Sequence, residues 1–467
     1  MLKRLFSHTA IYGLAPQIVK AVQIFILPFT TPFLTPLDYG VAGIISAVVG
    51  AISVFQGLGL NIVLSNSYYK SPFQYKWLWR QIYGFMAIWN FFYAFVMGFI
   101  IWFFVPKEVV ENRVWIILLN VLPLVFFGAS TSLGTLYYQL KQQPIQIVFR
   151  TVIIGLISIF LNLYFIAFLK MGYMGWFMSA AIGSFLLQIS YFYPLNFRLG
   201  MSPIFNFKRK TIIKQLKISL PIVPHYYSGY FLRSFDKIIM KSLGINIDQI
   251  GRYNAAQTPG NLASMGVMAA NQAVGPMLYQ SYKNNDRKTE KKLNFTIIIL
   301  VLLGTSIFSI FSKEWIPFLI RSKGLENIYS FAIIILMAYN YRPMYVAANQ
   351  RLFFVEKTKA LLKVSTTAAI ISVILNLIFI YYFGMIGAVI AMFISLMYMG
   401  YSGFYIKEFK ESEGTNHYPL FWLLLTIFLT IFSYFIVEIE IIWKILFSLF
   451  MILIAGVALF FLHIEKK

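Results

Sequence analysis

The chain has 467 residues, of which 59% are hydrophobic, 18% aromatic and only 12% charged. Soluble domains carry roughly 25% charged residues, and so little charge cannot cover a water-exposed surface, so a soluble fold is excluded. The absence of cysteine removes disulfides, thiolate metal sites and cysteine nucleophiles. The net charge of +23 is spread between apolar stretches, so it offers no soluble basic face for nucleic acid.

A helix crossing the bilayer needs about 20 mostly apolar residues. Taken in chain order, such stretches fall near 9–31, 41–64, 82–105, 114–138, 145–169, 174–197, 217–243, 250–280, 293–312, 327–350, 361–383, 386–406, 418–437 and 441–463, which predicts fourteen transmembrane helices. Lys20 interrupts the first stretch and no small-residue cleavage site follows it, so it reads as a span rather than a removable signal. With the N-terminus inside, 26 of the 39 Lys and Arg fall in inside segments, 8 outside and 5 within spans. The positive-inside bias then predicts a multi-pass membrane protein with both termini cytoplasmic.

Ile157–Ile166 aligns with Ile371–Ile380 at seven of ten identical positions, and each copy leads through a short turn to a glycine-led span at Gly172 or Gly384. These are the fifth and eleventh predicted spans. Six crossings separate them, so the copies run in the same direction, an arrangement typical of transporters. The expected fold is an all-α polytopic protein with two six-helix lobes in parallel repeat around a central cavity, plus two peripheral helices. The expected division is an N-lobe at 1–200, a basic cytoplasmic linker at 201–216, a C-lobe at 217–408 and peripheral helices at 409–467.

Ionisable groups within spans are expensive, about 2.5–3.5 kcal/mol each at the centre, and mark wet or paired positions. They are Lys20, Arg233, Asp236, Lys237, Arg252 and Arg342. Lys237 and Arg252 lie near enough to an outer boundary to snorkel, and Arg233 with Asp236 has the spacing of an ion pair on one helix face. His225, between Pro224 and Tyr226, reads equally as a buried histidine or a proton-coupling one. Gln257, Asn261, Ser264, Met268 and Asn271 recur in steps of four and three, forming one polar stripe. Gln17, Lys20 and Gln23 repeat that logic on the first span. A cavity with surplus cations suits an anionic substrate. The candidate substrate-binding residues are therefore Lys20, Arg233, Lys237, Arg252, Arg342, Gln257 and Asn261, and the coupling or gating residues are Asp236 and His225. No Walker loop, HExxH or GxSxG is present, so a transporter is expected rather than an enzyme, without cofactor or metal, its energy coming from an ion gradient such as H+ or Na+, the membrane potential or the substrate's own gradient.

These features resemble the Wzx-type polysaccharide repeat-unit flippases of the multidrug/oligosaccharidyl-lipid/polysaccharide exporter superfamily. The resemblance rests on Tyr12-Gly13, Leu27-Pro28, Leu34 to Gly40 and Gly57 to Leu60. It continues with Asp236 to Ile239, Leu243-Gly244, Gly251-Arg252-Tyr253, Ala255 and Pro276. Thr31-Pro32 departs from the pattern, where a basic residue is usual. The resemblance implies O-antigen or capsule biosynthesis. Undecaprenyl-diphosphate-linked oligosaccharide would be moved from the inner to the outer leaflet by alternating access among membrane lipid, with a polysaccharide polymerase and a chain-length regulator as partners. A lipid II flippase, an ion-coupled small-molecule exporter of the same superfamily and a membrane polymerase or ligase are the alternatives.

Overall fold

The computed structural model describes residues 18–220, 223–232, 234–355, 357–412 and 415–464. Hydrocarbon offers no partner to a free N–H or C=O, so each crossing segment must satisfy its backbone internally. All regular structure among the described residues is accordingly helical. The chain forms two compact units, Met1–Tyr230 and Phe231–Lys467.

The first unit contains α1 (Ile18–Phe33), α2 (Pro36–Ser53), α3 (Asn61–Lys70), α4 (Tyr75–Phe104), α5 (Arg113–Leu140), α6 (Pro144–Leu163), α7 (Tyr173–Tyr193) and α8 (Arg209–Ser219). It is closed by α9 (Val223–Phe231), which is tied to α2 by Tyr227 and Tyr230 hydroxyls donating to the carbonyls of Ala51 and Ala47, both at 2.9 Å. One end of the unit is packed around Trp79, with Leu64, Tyr83, Leu133, Tyr191 and Ile212.

The second unit contains α10 (Phe235–Ser242), α11 (Ile247–Lys283), α12 (Arg287–Ile310), α13 (Ser312–Leu319), α14 (Tyr329–Ala338), α15 (Tyr341–Phe354), α16 (Thr358–Tyr401), α17 (Lys407–Glu411), α18 (Pro419–Ile436) and α19 (Ile441–Ile464). The helices α18 and α19 pack on α12, with α18 also against α14 and α16. Two ion pairs hold the loop between them, Lys313 to Glu438 at 2.6 Å and a buried Lys444 to Glu314.

Helical stretches do not map one to one onto the fourteen expected spans. Among the described residues ten helical stretches are long and apolar enough to cross, and α1 is a shorter apolar helix. The predicted span 217–243 is broken into the end of α8, α9 and α10, and 250–280 is one 37-residue helix, α11, too polar to qualify. Pro259 does not interrupt α11. The predicted span 361–383 and most of 386–406 lie within α16, which turns at Gly384. A Cβ on Gly387 would stand 2.0 Å from the carbonyl oxygen of Phe379. Residues eight apart in a straight helix are about 12 Å apart, so the chain reverses there and α16 is two arms.

The sequence repeat has the same backbone device in both copies. Gly172 adopts φ 54° and ψ −133°, and Gly384 adopts φ 58° and ψ −134°, a conformation open essentially to glycine. Around Gly172 the pocket is also full. Asp38, in the Leu34–Gly40 motif, caps α2 through Thr35, and its Oδ1 accepts the Tyr173 amide at 2.7 Å. An added Cβ at Gly172 would meet that oxygen at 2.4 Å, whereas at Gly384 the nearest atom is 3.9 Å away. Both Gly→Ala variants should therefore lose about 1–3 kcal/mol to backbone strain. Gly172→Ala should lose clearly more, read as a lower melting temperature in detergent; equal losses would remove the role assigned to Asp38.

At the far end of α12 a second polar lock closes the second unit. Arg351 donates to the Ser412 carbonyl and stands 4.0 Å from Glu290, while Asn294 meets His417 Nε2 at 3.0 Å. His417 Nδ1 lies 2.7 Å from the Thr415 carbonyl, which can only accept, so Nδ1 carries the proton, and Nε2 accepts from the Asn294 amide nitrogen, so the ring is neutral. Burial pushes this imidazole down to about 4. A group depressed below its ordinary 6.5 takes up its proton first in the unfolded chain. Its contribution is thus complete above pH 6.5 and is lost as pH falls from 6.5 toward 4, on the order of 3 kcal/mol in all. Melting temperature measured from pH 7.5 to 5 should fall steeply in the native chain and less steeply in His417→Gln.

A polar track along helix α11

With 37 residues, α11 is about 55 Å long and exceeds the hydrocarbon thickness. Its polar stripe meets a different side chain at each turn, all within the second unit. The first rung is a buried cluster. Asp236 and Lys237 are 3% and 5% exposed. Lys237 Nζ donates to Gln257 Oε1 at 2.7 Å and lies 5.8 Å from the centre of the Tyr253 ring. The Tyr253 hydroxyl donates to Asp236 Oδ2, which Gln257 Nε2 reaches at 3.5 Å, and Asp236 Oδ1 accepts the Lys237 amide at 2.8 Å. The sulfur of Met392 sits 3.7 Å from the same hydroxyl.

The next rungs descend α11. Tyr339 donates to Asn261 Oδ1 at 3.1 Å, and Arg342 Nη1 stands 3.4 Å from Ser264 Oγ. Tyr339 and Asn340 form the break between α14 and α15, which Asn340 Nδ2 fixes to Thr305 Oγ1 on α12 at 2.8 Å. Pro343, lacking an N–H, is tolerated in the first turn of α15, and this places Arg342 at that turn. Further along, Asn271 Nδ2 and Gln350 Oε1 are buried without a hydrogen-bond partner among the described residues, as is Arg342 Nε.

The structure thus brings together Asp236, Lys237, Gln257, Asn261 and Arg342. Arg252 is exposed on the first turns of α11, off the track, and Lys20 is half-buried on α1 in the other unit. Gln17, Arg233 and the His225 side chain lie outside the described residues. Tyr253, Tyr339, Met392 and Gln350 were not among the candidates. Tyr253 was legible, because it precedes Gln257 by four and extends the stripe one turn. The others come from segments 78 or more positions away in sequence and had no periodic signal.

The two cations differ chemically. Lys237 is compensated by a carboxamide, an aromatic face and a nearby carboxylate. Among the described residues the Arg342 side chain meets a neutral hydroxyl and keeps donors in hand, and guanidinium donors match the oxygens of phosphate or carboxylate. Among the described residues no cluster of His, Asp and Glu could hold a metal ion. A groove of about 650 Å³ between α16 and α18, walled by Phe393, Met397, Tyr398, Tyr401 and Leu423 with Lys363 at its edge, is apolar enough to take a hydrocarbon chain but not a headgroup.

Comparison with known proteins agrees with this membrane architecture. Three solved structures share the fold at low sequence identity. The lipid II flippase MurJ in an inward closed conformation matches with a TM-score of 0.67 at 13% identity, over 91% of this chain and 97% of that one. An inward-facing multidrug resistance MATE family transporter of the MOP superfamily matches with 0.63 at 13%, over 90% and 95%. An outward-facing one matches with 0.56 at 14%, over 91% and 95%. No curated protein matches in sequence. The family model described as polysaccharide biosynthesis protein matches residues 5–282, more than half of the chain and including Asp236, Lys237 and most of α11, and the chain therefore belongs to that family.

Proposed function

We propose that the chain flips an undecaprenyl-diphosphate-linked oligosaccharide from the inner to the outer leaflet of the bacterial plasma membrane, for surface polysaccharide assembly. The observation that carries this reading is the α11 track that includes Arg342, an under-compensated guanidinium inside a membrane-spanning unit of a polysaccharide biosynthesis family member. The diphosphate meets Arg342, and Lys20, on the first unit, is a further cation proposed for substrate binding. Asparagine, glutamine and tyrosine side chains along α11 offer hydrogen bonds to sugar hydroxyls. Asp236, the single acid on the track, and His225 are the groups that would couple H+ or Na+ to transport. No bond is made or broken, so the role is that of a transporter, upstream of a polymerase and a chain-length regulator.

The test is deletion of the gene, followed by extraction of carrier lipids and surface polysaccharide staining. The expected cells are viable, lack surface polysaccharide and accumulate linked repeat units on the inner leaflet. Lethality calls for a second deletion, of the first glycosyltransferase, because trapped carrier is toxic. Rescue by that second deletion retains the proposal; continued death transfers the assignment to lipid II, and normal polysaccharide with drug sensitivity transfers it to small-molecule export.

A further inference from the structure

The first 235 residues contain three acids, Asp38, Glu108 and Glu111. Asp38 caps α2 beside Tyr173, and the two glutamates lie in the turn between α4 and α5. All three are at one end of the first unit. The opposite end, read above as cytoplasmic, carries Lys70, Lys76, Arg80, Lys141, Arg150, Arg198, Lys208, Arg209, Lys210, Lys214 and Lys217 without a single acid. Orientation bias explains an excess of Lys and Arg, but it is indifferent to Asp and Glu. The corresponding segments of the second unit mix signs, with Asp286, Glu290, Glu408 and Glu411 among their cations.

This basic end is a built surface. Helix α8 turns Ile212, Leu216 and Ser219 inward onto the Trp79 core. Its other face, at the same i, i+3, i+4, i+7 spacing, shows Lys210, Ile213, Lys214 and Lys217 exposed, with Ile218 exposed beside them. The segment before α8 is strapped to α4. The Ile204 amide donates to the Arg80 carbonyl at 2.9 Å, Arg80 Nε to the Ser202 carbonyl at 2.9 Å, and the Lys208 amide to Gln81 Oε1 at 3.1 Å. That strap sets Lys208 Nζ 5.8 Å from the ring of Trp77. Trp77 lies on the first turn of α4, directly after the α3–α4 turn in which Phe73 is 99% exposed between Lys70 and Lys76, and Tyr69 at the end of α3 is exposed as well.

Fully exposed aromatic side chains flanked by lysines are unfavourable in water and favourable at a membrane interface, where the rings sit at headgroup depth. We propose that the outward face of α8 and the neighbouring α3–α4 turn form a binding surface for anionic phospholipid headgroups of the cytoplasmic leaflet. The cations meet the headgroups, and Phe73, Trp77, Ile213 and Ile218 enter the acyl boundary. The surface is distinct from the α11 track and rests only on the orientation read from the charges.

The chain has no cysteine, so Ile213→Cys gives one labelling position for a fluorophore on the full protein. The labelled protein is placed in vesicles containing equal fractions of brominated phosphatidylglycerol or brominated phosphatidylcholine. Quenching by the anionic lipid should exceed that by the zwitterionic one about threefold, on the scale expected for several juxtamembrane cations. The preference should fall to parity when Lys208, Arg209, Lys210, Lys214 and Lys217 are all changed to Gln. It should fall likewise for the unsubstituted face near 1 M salt, where the Debye length is about 3 Å, which keeps the test available if the fivefold variant does not fold. Equal quenching by both lipids, or a preference that survives salt, overturns the proposal. Absence of quenching by either does so too, because α8 would then face solution or another protein.

Discussion

Arg342→Gln is expected to cut delivery of linked repeat units to the outer leaflet by ten- to a hundredfold, with the amount of protein in the membrane unchanged. The magnitude follows from losing charged hydrogen bonds to the diphosphate, worth about 1.5–3 kcal/mol. The unchanged folding follows from what Arg342 touches. It makes one contact of 3.4 Å to Ser264, has no ion-pair partner among the described residues, and its Nε is buried without an acceptor. Removing an uncompensated cation from a membrane helix relieves a penalty rather than creating one. Lys20→Ala on the first unit should behave in the same way. Export is read by surface polysaccharide staining and by repeat units trapped on the carrier. Normal polysaccharide in Arg342→Gln would remove the guanidinium from the pathway, whereas lost export with lost protein would make it a structural residue.

The second large effect concerns Asp236 and Lys237, and here stability rather than transport is the readout. Both are buried, and each is satisfied through Tyr253 and Gln257. Lys237→Met leaves a buried carboxylate facing only neutral donors, and Asp236→Asn leaves a buried ammonium without a countercharge. Breaking such a buried pair from one side costs about 3–5 kcal/mol. The double variant Asp236→Asn/Lys237→Met removes both charges together and should lose several kcal/mol less than the two singles combined. Denaturation of the purified protein in detergent measures all three. Strict additivity would show that the two residues do not share one electrostatic unit.

The contrast between these two predictions could not be made from sequence. Lys237 and Arg342 read alike as cations within apolar spans. Lys237 finds its acceptor 20 positions away on α11, and Arg342 faces a hydroxyl 78 positions away. The Leu34–Gly40 motif that carried the family resemblance proves to be a helix cap, with Asp38 reaching across 135 positions to the Tyr173 amide.

Composition, hydropathy and charge by themselves determined that this is a polytopic helical membrane protein with a repeated segment and a polar face on α11. Those properties are additive along the chain or periodic within one helix, so a linear reading recovers them. The equivalence of Gly172 and Gly384 was visible for the same reason, since a backbone conformation open essentially to glycine demands that residue locally. Only the tertiary structure decided where helices break, that α16 reverses on itself, and which buried charge is compensated. Each of those outcomes depends on groups brought together from distant positions. In a low-dielectric interior the partner, rather than the residue, decides whether a charge is spent on the fold or kept for a ligand.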